Sequence, residues 1–222
     1  MPSSTPKKST RASKPIDEQL APRRLPTQAR GQQSRDLILR AAAEVIESEG
    51  LDRLTTKRIA TAAGVSVGSV YQYFPNKEAV VYALTLQWLD LIRTKLDAMH
   101  PRNSGITDLL AYLDIMFTEI REVYASQPGL DPMINALYAM PSLHQLVQDH
   151  DDAVAANMAS AFKMLAPQAD PVEIEALSYT MIVLVHELIT EMLLRRPALR
   201  KQIEAQLRAC VLTLTSRLLA KR

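Results

Sequence analysis

Apolar residues recur along the chain at the three- and four-residue spacing of amphipathic helices, and no segment shows the two-residue alternation of a half-buried strand. The first helix is predicted over residues 34–49 and ends at Gly50, a residue type that favours a helix C-terminus. Its apolar stripe consists of Ile38, Ala42, Val45 and Ile46. The pattern therefore predicts a helix at the start of the folded part of the chain.

Three further helices are predicted before residue 100, each introduced by a side chain that can accept a hydrogen bond from a free backbone N–H. With their capping residues they are Thr55 to Ala63, Ser66 to Phe74 and Asn76 to Ala98. Five more are predicted at residues 106–126, 132–139, 142–165, 171–195 and 197–220, with Pro or Gly in the breaks. We expect an all-α protein of about nine helices.

The composition is that of a globular protein, with 222 residues of which 47% are hydrophobic and 23% charged. A single cysteine, Cys210, excludes an intramolecular disulfide. The most apolar run, residues 176–194, approaches the length of a membrane span but contains His186, Glu187 and Glu191, which are costly in a bilayer. We interpret this run as a buried helix and expect a cytoplasmic protein without membrane contact.

Positive charge is concentrated at the N-terminal end. Residues 1–78 hold 13 Lys and Arg against 8 Asp and Glu, whereas residues 79–222 hold 13 against 16. Residues 1–33 also contain five of the 13 prolines and very few apolar side chains, which predicts a disordered basic arm. Two interpretations of the arm stay open: a solvated tail, or an arm that supplements nucleic-acid binding through its charge.

Residues 55–74 have the pattern of a helix, a tight turn and a second helix. Ala60 and Gly64 are small enough for the helices to cross closely, and Gly64 can supply the left-handed backbone of the turn. An alternative is an Ala-rich helical hairpin without a role at DNA. The position of the unit, after one helix, before a long one and within the basic part of the chain, favours a helix-turn-helix whose second helix enters the major groove.

Over residues 34–80, a set of residue types at fixed spacings forms one recognisable pattern. They are Ile38, Leu39, Ala41, Ala42, Gly50, Leu54, Thr55, Thr56, Ile59, Ala60, Ala63, Gly64, Val65, Ser66, Gly68, Val70, Tyr71, Tyr73, Phe74, Asn76, Lys77 and Glu78. This set resembles the tetracycline-repressor (TetR) family of one-component regulators. Ile46 and Leu51 depart from it, since the family usually has Phe at the first position and an aromatic residue at the second. Both remain apolar, so the departures concern only packing detail.

The resemblance places nine residues at positions that contact DNA: Thr56, Lys57, Val67, Gly68, Ser69, Tyr71, Gln72, Tyr73 and Lys77. The amide of Gln72 would read adenine, and Lys77 would contact a phosphate. The implied architecture is a helix-turn-helix DNA-binding domain over residues 34–80, joined by a long fourth helix to a helical effector-binding and dimerisation domain over residues 81–222. The basic arm over residues 1–33 precedes both.

The last two predicted helices are candidates for a dimer interface, although both could instead be core of a single subunit. A helix-turn-helix that binds one DNA half-site needs a second copy for the other half-site. The resemblance implies that the last two helices pair with their symmetry mates in a four-helix bundle. We predict an interface stripe at Ile203, Leu207, Val211, Leu214 and Leu218. Cys210 borders this stripe and is either core or a thiol sensor.

Met and aromatic side chains are concentrated between residues 82 and 192. They are either ordinary core residues or the walls of an adaptable apolar cavity. For an effector pocket we predict Trp88, Tyr112, Met116, Phe117, Tyr138, Met158, Phe162, Tyr179 and His186. Four carboxylates could face inward and would favour a neutral or cationic effector over an anionic one. These are Asp114, Glu119, Glu187 and Glu191.

No zinc-protease, phosphate-loop or di-iron motif is present in the sequence, and we expect no enzyme, metal site or cofactor. We interpret His144, His150, Asp151 and Asp152 as a solvated helix face and not as a metal site. The sequence thus predicts a ligand-responsive repressor that binds a palindromic operator as a homodimer and responds to a small-molecule effector. An architectural DNA-binding protein without an effector is the alternative.

Overall fold

A computed structural model describes residues 29–130, 132–134 and 140–219. The described residues are almost entirely helical and contain no strand, so the predicted all-α class is confirmed. The helices are α1 (Ala29–Glu49), α2 (Thr56–Ala62), α3 (Val67–Tyr73), α4 (Lys77–Met99), α5 (Pro101–Ser104), α6 (Leu109–Ser126), α7 (Pro141–Leu165), α8 (Pro171–Thr190) and α9 (Arg200–Leu219).

Helix α1 begins at Ala29, before the predicted start at Ser34. Residues 29–33 therefore belong to a helix and not to the predicted disordered arm. Residues 1–28, which make up the rest of that arm, lie outside the described residues. Of the helix predicted over residues 132–139, residues 132–134 are helical and residues 135–139 also lie outside them.

Helices α1, α2 and α3 form an N-terminal head around a shared apolar core. Ile38 and Ile46 of α1, Ile59 of α2 and Val70 of α3 are each fully buried. Phe74, which follows α3, is also fully buried, and the guanidinium of Arg35 lies 5.8 Å from the centre of its ring. Because side chains from all three helices fill one core, the orientation of α3 relative to α1 and α2 is fixed.

Helix α4 connects the head to the rest of the molecule. It begins where Asn76 Oδ1 accepts a hydrogen bond from Ala79 N at 2.7 Å, as its capping residue predicts. Its 23 residues correspond to about 35 Å at the rise of an α-helix. The helix packs on α1 in the head and on α6 and α7 in the body. It is thus one continuous helix shared by both parts.

Helices α6 to α9 form the body. Helix α8 is its centre, because it packs on both α7 and α9, and Ile174, Met181 and Ile189 are buried along one side of it. The prediction of one helix to Arg195 needs correction: the α-helix ends at Thr190, and Glu191–Arg195 form a π-helical turn. By length and composition alone, Pro171–Arg195 is sufficient to cross a membrane, yet its buried side lies in the core of the body.

The predicted dimer stripe of α9 also needs correction. Leu207, Val211 and Leu218 are 0%, 7% and 3% exposed within one chain, because this side of α9 packs against the subunit's own body. Ile203 and Leu214 are partly buried on the same side. Cys210, predicted to border a buried stripe, is exposed. Leu207, Val211 and Leu218 are therefore not available for contact with a second copy, and the predicted role of Ile203 and Leu214 stays a prediction.

Candidate DNA-binding surface and effector cavity

Side-chain hydrogen bonds cap the N-terminal ends of α2 and α3 and so fix where each helix begins. Thr55 Oγ1 accepts from Arg58 N at 3.1 Å at the start of α2, and Ser66 Oγ accepts from Ser69 N at 3.0 Å at the start of α3. Between them Gly64 has a φ of +65°, a backbone conformation that favours glycine, and Val65 N donates to Ala60 O at 3.0 Å. The result is a helix-turn-helix with α3 as its second helix.

The outer face of α3 presents Val67, Gly68, Tyr71 and Gln72 to solvent. Tyr71 also receives a hydrogen bond at 3.2 Å from Thr56 Oγ1 of α2, which links the two helices across the surface. The phenol can still donate its own proton, as a phosphate contact requires. This face is the part of the head best suited to entering a DNA groove.

Below the head, the body contains an apolar cavity of about 240 Å³. Its walls come from α4, α6, α7 and α8. They include Trp88, Leu89, Ile92, Leu96, Met116, Ile120, Tyr124, Val147, His150, Val154, Met158, Met181, Ile182, Val185 and His186, and Asp151, Val183 and Glu187 complete them. Apolar walls with few polar groups are typical of a site for a small organic molecule.

The polar side chains of this cavity belong mainly to one cluster of rings. Tyr124 OH and His186 Nδ1 are 2.5 Å apart, and the ring of Trp88 lies 5.5 Å from that of Tyr124 and 6.4 Å from that of His186, between centroids. Burial lowers the pKa of His186. Burial, with the nearby charges of Arg93 and His186, lowers the pKa of His150 to about 4. Both imidazoles are therefore neutral near pH 7.

Sequence comparison matches both parts of the molecule to known domains. Residues 38–84 match "Bacterial regulatory proteins, tetR family", and residues 108–213 match "Tetracyclin repressor-like, C-terminal domain". The chain belongs to the TetR family. The resemblance stated from residues 34–80 is thereby confirmed, and the second match extends the TetR assignment to the helical body.

Curated relatives are similar over part of their length. The uncharacterized HTH-type transcriptional regulator YvdT of Bacillus subtilis is 35% identical over 95 residues, which are 43% of this chain and 46% of YvdT. The nucleoid occlusion factor SlmA of Aliivibrio fischeri is 32% identical over 109 residues, covering 39% of this chain and 56% of SlmA. The chain thus spans about half the length of the curated relatives it matches.

Solved structures share the TetR fold at low sequence identity. The structure described as the SmeT–triclosan complex has a TM-score of 0.63 and 17% identity, and the match covers 82% of this chain and 91% of that one. Identity at this level shows the fold alone. The comparisons therefore establish the TetR family and its fold for this chain.

The residues predicted to contact DNA all lie on or beside the helix-turn-helix, but they are not equally free to do so. Lys57, Val67, Gly68, Tyr71 and Gln72 are exposed. Thr56, Ser69, Tyr73 and Lys77 are partly buried. Ser69 Oγ lies 2.9 Å from Ser66 Oγ, so this hydroxyl already takes part in the cap of α3. Their contacts with DNA stay a prediction.

The predicted effector residues that the structure describes separate into three groups. Trp88, Met116, Met158 and His186 line the cavity. Tyr112, Phe117 and Phe162 do not, because they are packed inside the core, where the rings of Tyr112 and Phe162 meet edge to face at 6.1 Å. Tyr179 is 43% exposed and donates to Asp152 at 2.8 Å on the outer side of α8. Tyr138 lies outside the described residues.

The carboxylates expected to face inward are mostly engaged elsewhere. Asp114 pairs with Arg208, Glu119 with Lys95 and Glu191 with Arg195 and Arg196. Glu187 is the member of this set that lines the cavity. The expected attraction of the cavity for a cationic effector is correspondingly weaker.

Sequence reasoning missed two polar residues of the cavity, Tyr124 and His150. His150, interpreted as part of a solvated face, is 8% exposed and lines the cavity. A signal was present: His150 continues the stripe of Leu143, Val147, Val154 and Met158 at helical spacing. Among the described residues, no group of three His, Cys, Asp or Glu side chains is placed to hold a metal ion.

Proposed function

We propose that this TetR-family protein is a cytoplasmic repressor that binds a palindromic operator as a dimer and releases it when a small apolar molecule enters the cavity of the body. The observation that carries the proposal is the path of α4. Lys77, at its first turn, lies beside the recognition unit, while Trp88, Leu89 and Ile92 of the same helix line the cavity. A ligand that shifts α4 would therefore move the DNA-binding head.

A second contact joins the two parts. Gly129 of the body, at a φ of +70°, packs against α1 so closely that an added Cβ would lie 2.8 Å from the carbonyl oxygen of Ala43. A displacement in the body thus reaches the head through α1 as well as through α4. A coupling free energy of about 1–3 kcal/mol between ligand and DNA would change operator affinity about 5- to 150-fold.

The dimer is proposed to form through the outer face of α8 together with α9. Val172, Ala176, Tyr179 and Val183 recur on one exposed side of α8, with Val172 72% and Val183 64% exposed. Leu212 of α9 is 50% exposed. A second copy of the chain is the proposed partner, because a TetR regulator that reads two half-sites needs a two-fold mate and this apolar face needs a cover.

The effector is proposed to be small and mostly apolar. A cavity of about 150 Å³ lined by aliphatic and aromatic side chains holds benzene, so the larger cavity here has room for a substituted ring. The SmeT–triclosan complex, which has the same fold, supports a small organic ligand for this chain.

Selection of bound fragments from random DNA, followed by titration with the variants Gln72→Ala and Lys77→Ala, tests the DNA-binding half of the proposal. Loss of the Gln72 amide should change the preferred base at one position of each half-site. Loss of Lys77 should weaken all sequences alike and reduce the salt slope of log K by about one. Identical sequence profiles for the two variants would contradict these roles.

Titration of candidate effectors into the operator complex tests the other half. An effector should weaken operator binding, and the operator should weaken effector binding by the same factor. A ligand that binds the cavity without changing operator affinity would favour the alternative of an architectural DNA-binding protein.

A further inference from the structure

Two buried polar atoms at the cavity have no hydrogen-bond partner among the residues that the structure describes. Trp88 is 4% exposed and its indole Nε1 is unpaired; His150 is 8% exposed and its Nδ1 is unpaired. Both residues line the same cavity. Buried polar groups are normally paired because leaving them unpaired is costly, so two of them at one apolar cavity indicate a missing partner.

The neighbouring polar groups do not serve these atoms. The hydroxyl of Tyr124 and Nδ1 of His186 are bonded to each other. Trp88 Nε1 can only donate, so its partner must offer an acceptor. The ring nitrogen of neutral His150 either donates or accepts, depending on its tautomer. A hydroxyl group can act in both senses, whereas a hydrocarbon offers neither.

We propose that the ligand of this cavity is a neutral, mostly apolar molecule with a hydroxyl group, which accepts a hydrogen bond from Trp88 Nε1 and bonds to His150 Nδ1. This inference rests on the proposed function only in taking the cavity as the effector site. The apolar remainder of the ligand contacts Leu89, Ile92 and Met158.

Charged ligands fit this environment less well. A carboxylate would be buried beside two imidazoles that are neutral at pH 7 and near the carboxylates of Asp151 and Glu187. An ammonium group would lose its hydration among the apolar walls of the cavity, which is costly. Glu187 lies within 3.9 Å of the guanidinium of Arg195 and is thus already near a cation.

Four probes that share a tert-butylphenyl group test the proposal on the full-length protein: tert-butylbenzene, para-tert-butylphenol, para-tert-butylbenzylamine and para-tert-butylbenzoate. Trp88 is the only tryptophan of the chain, so its fluorescence reports directly on the cavity. The phenol should bind about tenfold more tightly than the hydrocarbon, and more tightly than either ion, as expected for two added hydrogen bonds.

Two variants test whether Trp88 Nε1 and His150 Nδ1 cause the preference for the phenol over the hydrocarbon. Trp88→Phe, followed by calorimetry, and His150→Phe, followed by Trp88 fluorescence, should each reduce the ratio between phenol and hydrocarbon to about threefold or less. Tyr112→Phe is the matched control: it also removes a buried unpaired polar atom, but Tyr112 does not line the cavity, and the ratio should not change.

Equal binding of phenol and hydrocarbon, tighter binding of the amine or the benzoate, a ratio retained in both variants, or no binding of any probe would each overturn the inference. Operator binding is measured separately. If the phenol binds with the expected preference but leaves operator affinity unchanged, the ligand class stands and the proposed regulatory function fails.

Discussion

At the scale of single residues, Gly68 is the sharpest test of DNA binding, because the folded chain does not require a glycine there. Its φ is not positive, and a Cβ added to it would meet only Ser66 Oγ, at an ordinary 3.6 Å. Gly68→Ala should therefore leave stability unchanged or raise it by up to about 1 kcal/mol, as in a helix interior.

Operator affinity should respond in the opposite direction to stability. If α3 enters the groove with its first turn closest to the bases, the new methyl group holds the backbone away from them. Affinity should fall about tenfold or more, corresponding to about 1–3 kcal/mol of lost contact. Thermal unfolding and operator titration of the same preparation measure both effects. Unchanged affinity would place Gly68 away from DNA.

His150 predicts a pH dependence of stability. Its pKa is lowered to about 4 in the folded chain, first by burial and then by Arg93 and His186, whereas the unfolded value is about 6.5. Between these values the unfolded chain binds the additional proton, so His150 contributes stability above about pH 6.5 that is lost as the pH falls towards 4. From pH 7 to pH 5 the loss should be about 2 kcal/mol.

Urea unfolding of the parent and of His150→Phe at both pH values isolates this contribution. The buried His186 has a lowered pKa as well and acts in the same direction in both proteins, so the difference between their pH dependences reports on His150. The same pH dependence in the two proteins would mean that His150 is not held neutral by its surroundings.

Residue-scale features could be predicted where the signal is local. Thr55, Ser66 and Asn76 each form the helix cap that the sequence indicates, because a cap involves only residues three positions apart. Trp88 and Tyr112 have similar sequence contexts, yet one lines the cavity and the other is packed against Phe162. That difference depends on which helix packs opposite each residue. The apolar periodicity of a single helix does not predict this packing.

At the scale of elements, the ends of α2, α3 and α4 agree with the sequence to within about one residue, whereas α8 does not end where its apolar pattern ends. The apolar run continues through Glu191–Arg195, but there the backbone forms a π-turn, and Glu191 accepts hydrogen bonds from Arg195 and Arg196. A hydrophobic pattern specifies which side of a segment is buried and not which helical hydrogen bonds it makes.

The loop after α6 predicts a graded effect on stability. Gly129 and Gly105 have φ values of +70° and +73°, but an added Cβ meets the Ala43 carbonyl oxygen only at Gly129, and nothing within 4 Å at Gly105. Gly105→Ala should therefore cost about 1–2 kcal/mol, the cost of the left-handed backbone. Gly129→Ala should cost at least about 1 kcal/mol more, because the body must move away from α1.

Chemical denaturation of the two variants gives this comparison directly, and operator titration of the folded fraction extends it. Since Ala43 belongs to α1, Gly129→Ala should also change operator affinity, whereas Gly105→Ala should not. If Gly129→Ala and Gly105→Ala lowered the free energy of unfolding equally, the contact between Gly129 and α1 would be able to adjust to a Cβ at no added cost.

At the scale of the whole molecule, the sequence identified two apolar helices near the C-terminus but not which of their sides faces outward. The predicted interface stripe of α9 packs inside the subunit, where Leu207 is fully buried. The less regular face formed by Val172, Tyr179, Val183 and Leu212 is left outside. Which side is covered depends on how α7, α8 and α9 pack together, and a pattern within one helix does not determine this packing.

The outward face predicts which substitutions separate dimerisation from folding. Val172→Glu and Leu212→Glu place a charge where a single subunit is already 72% and 50% exposed, so each variant should fold as a monomer with little change in its own stability. In the dimer the same charge would be buried without a partner, which is strongly unfavourable. Met164→Glu, at an α7 residue that is 53% exposed, is the matched control and should leave the dimer intact.

Variants that lose the dimer should also lose affinity for the palindromic operator. When two linked half-site readers become independent, affinity for the palindrome should fall by about 100-fold or more, while binding to an isolated half-site should change little. Sedimentation at micromolar concentration and titration with full and half operators measure both effects. Leu207→Lys, in contrast, should unfold the body, because it places an unpaired charge in the subunit's own core. A monomeric parent protein, or a dimer that survives both Val172→Glu and Leu212→Glu, would show that the outer face of α8 and α9 is not the interface.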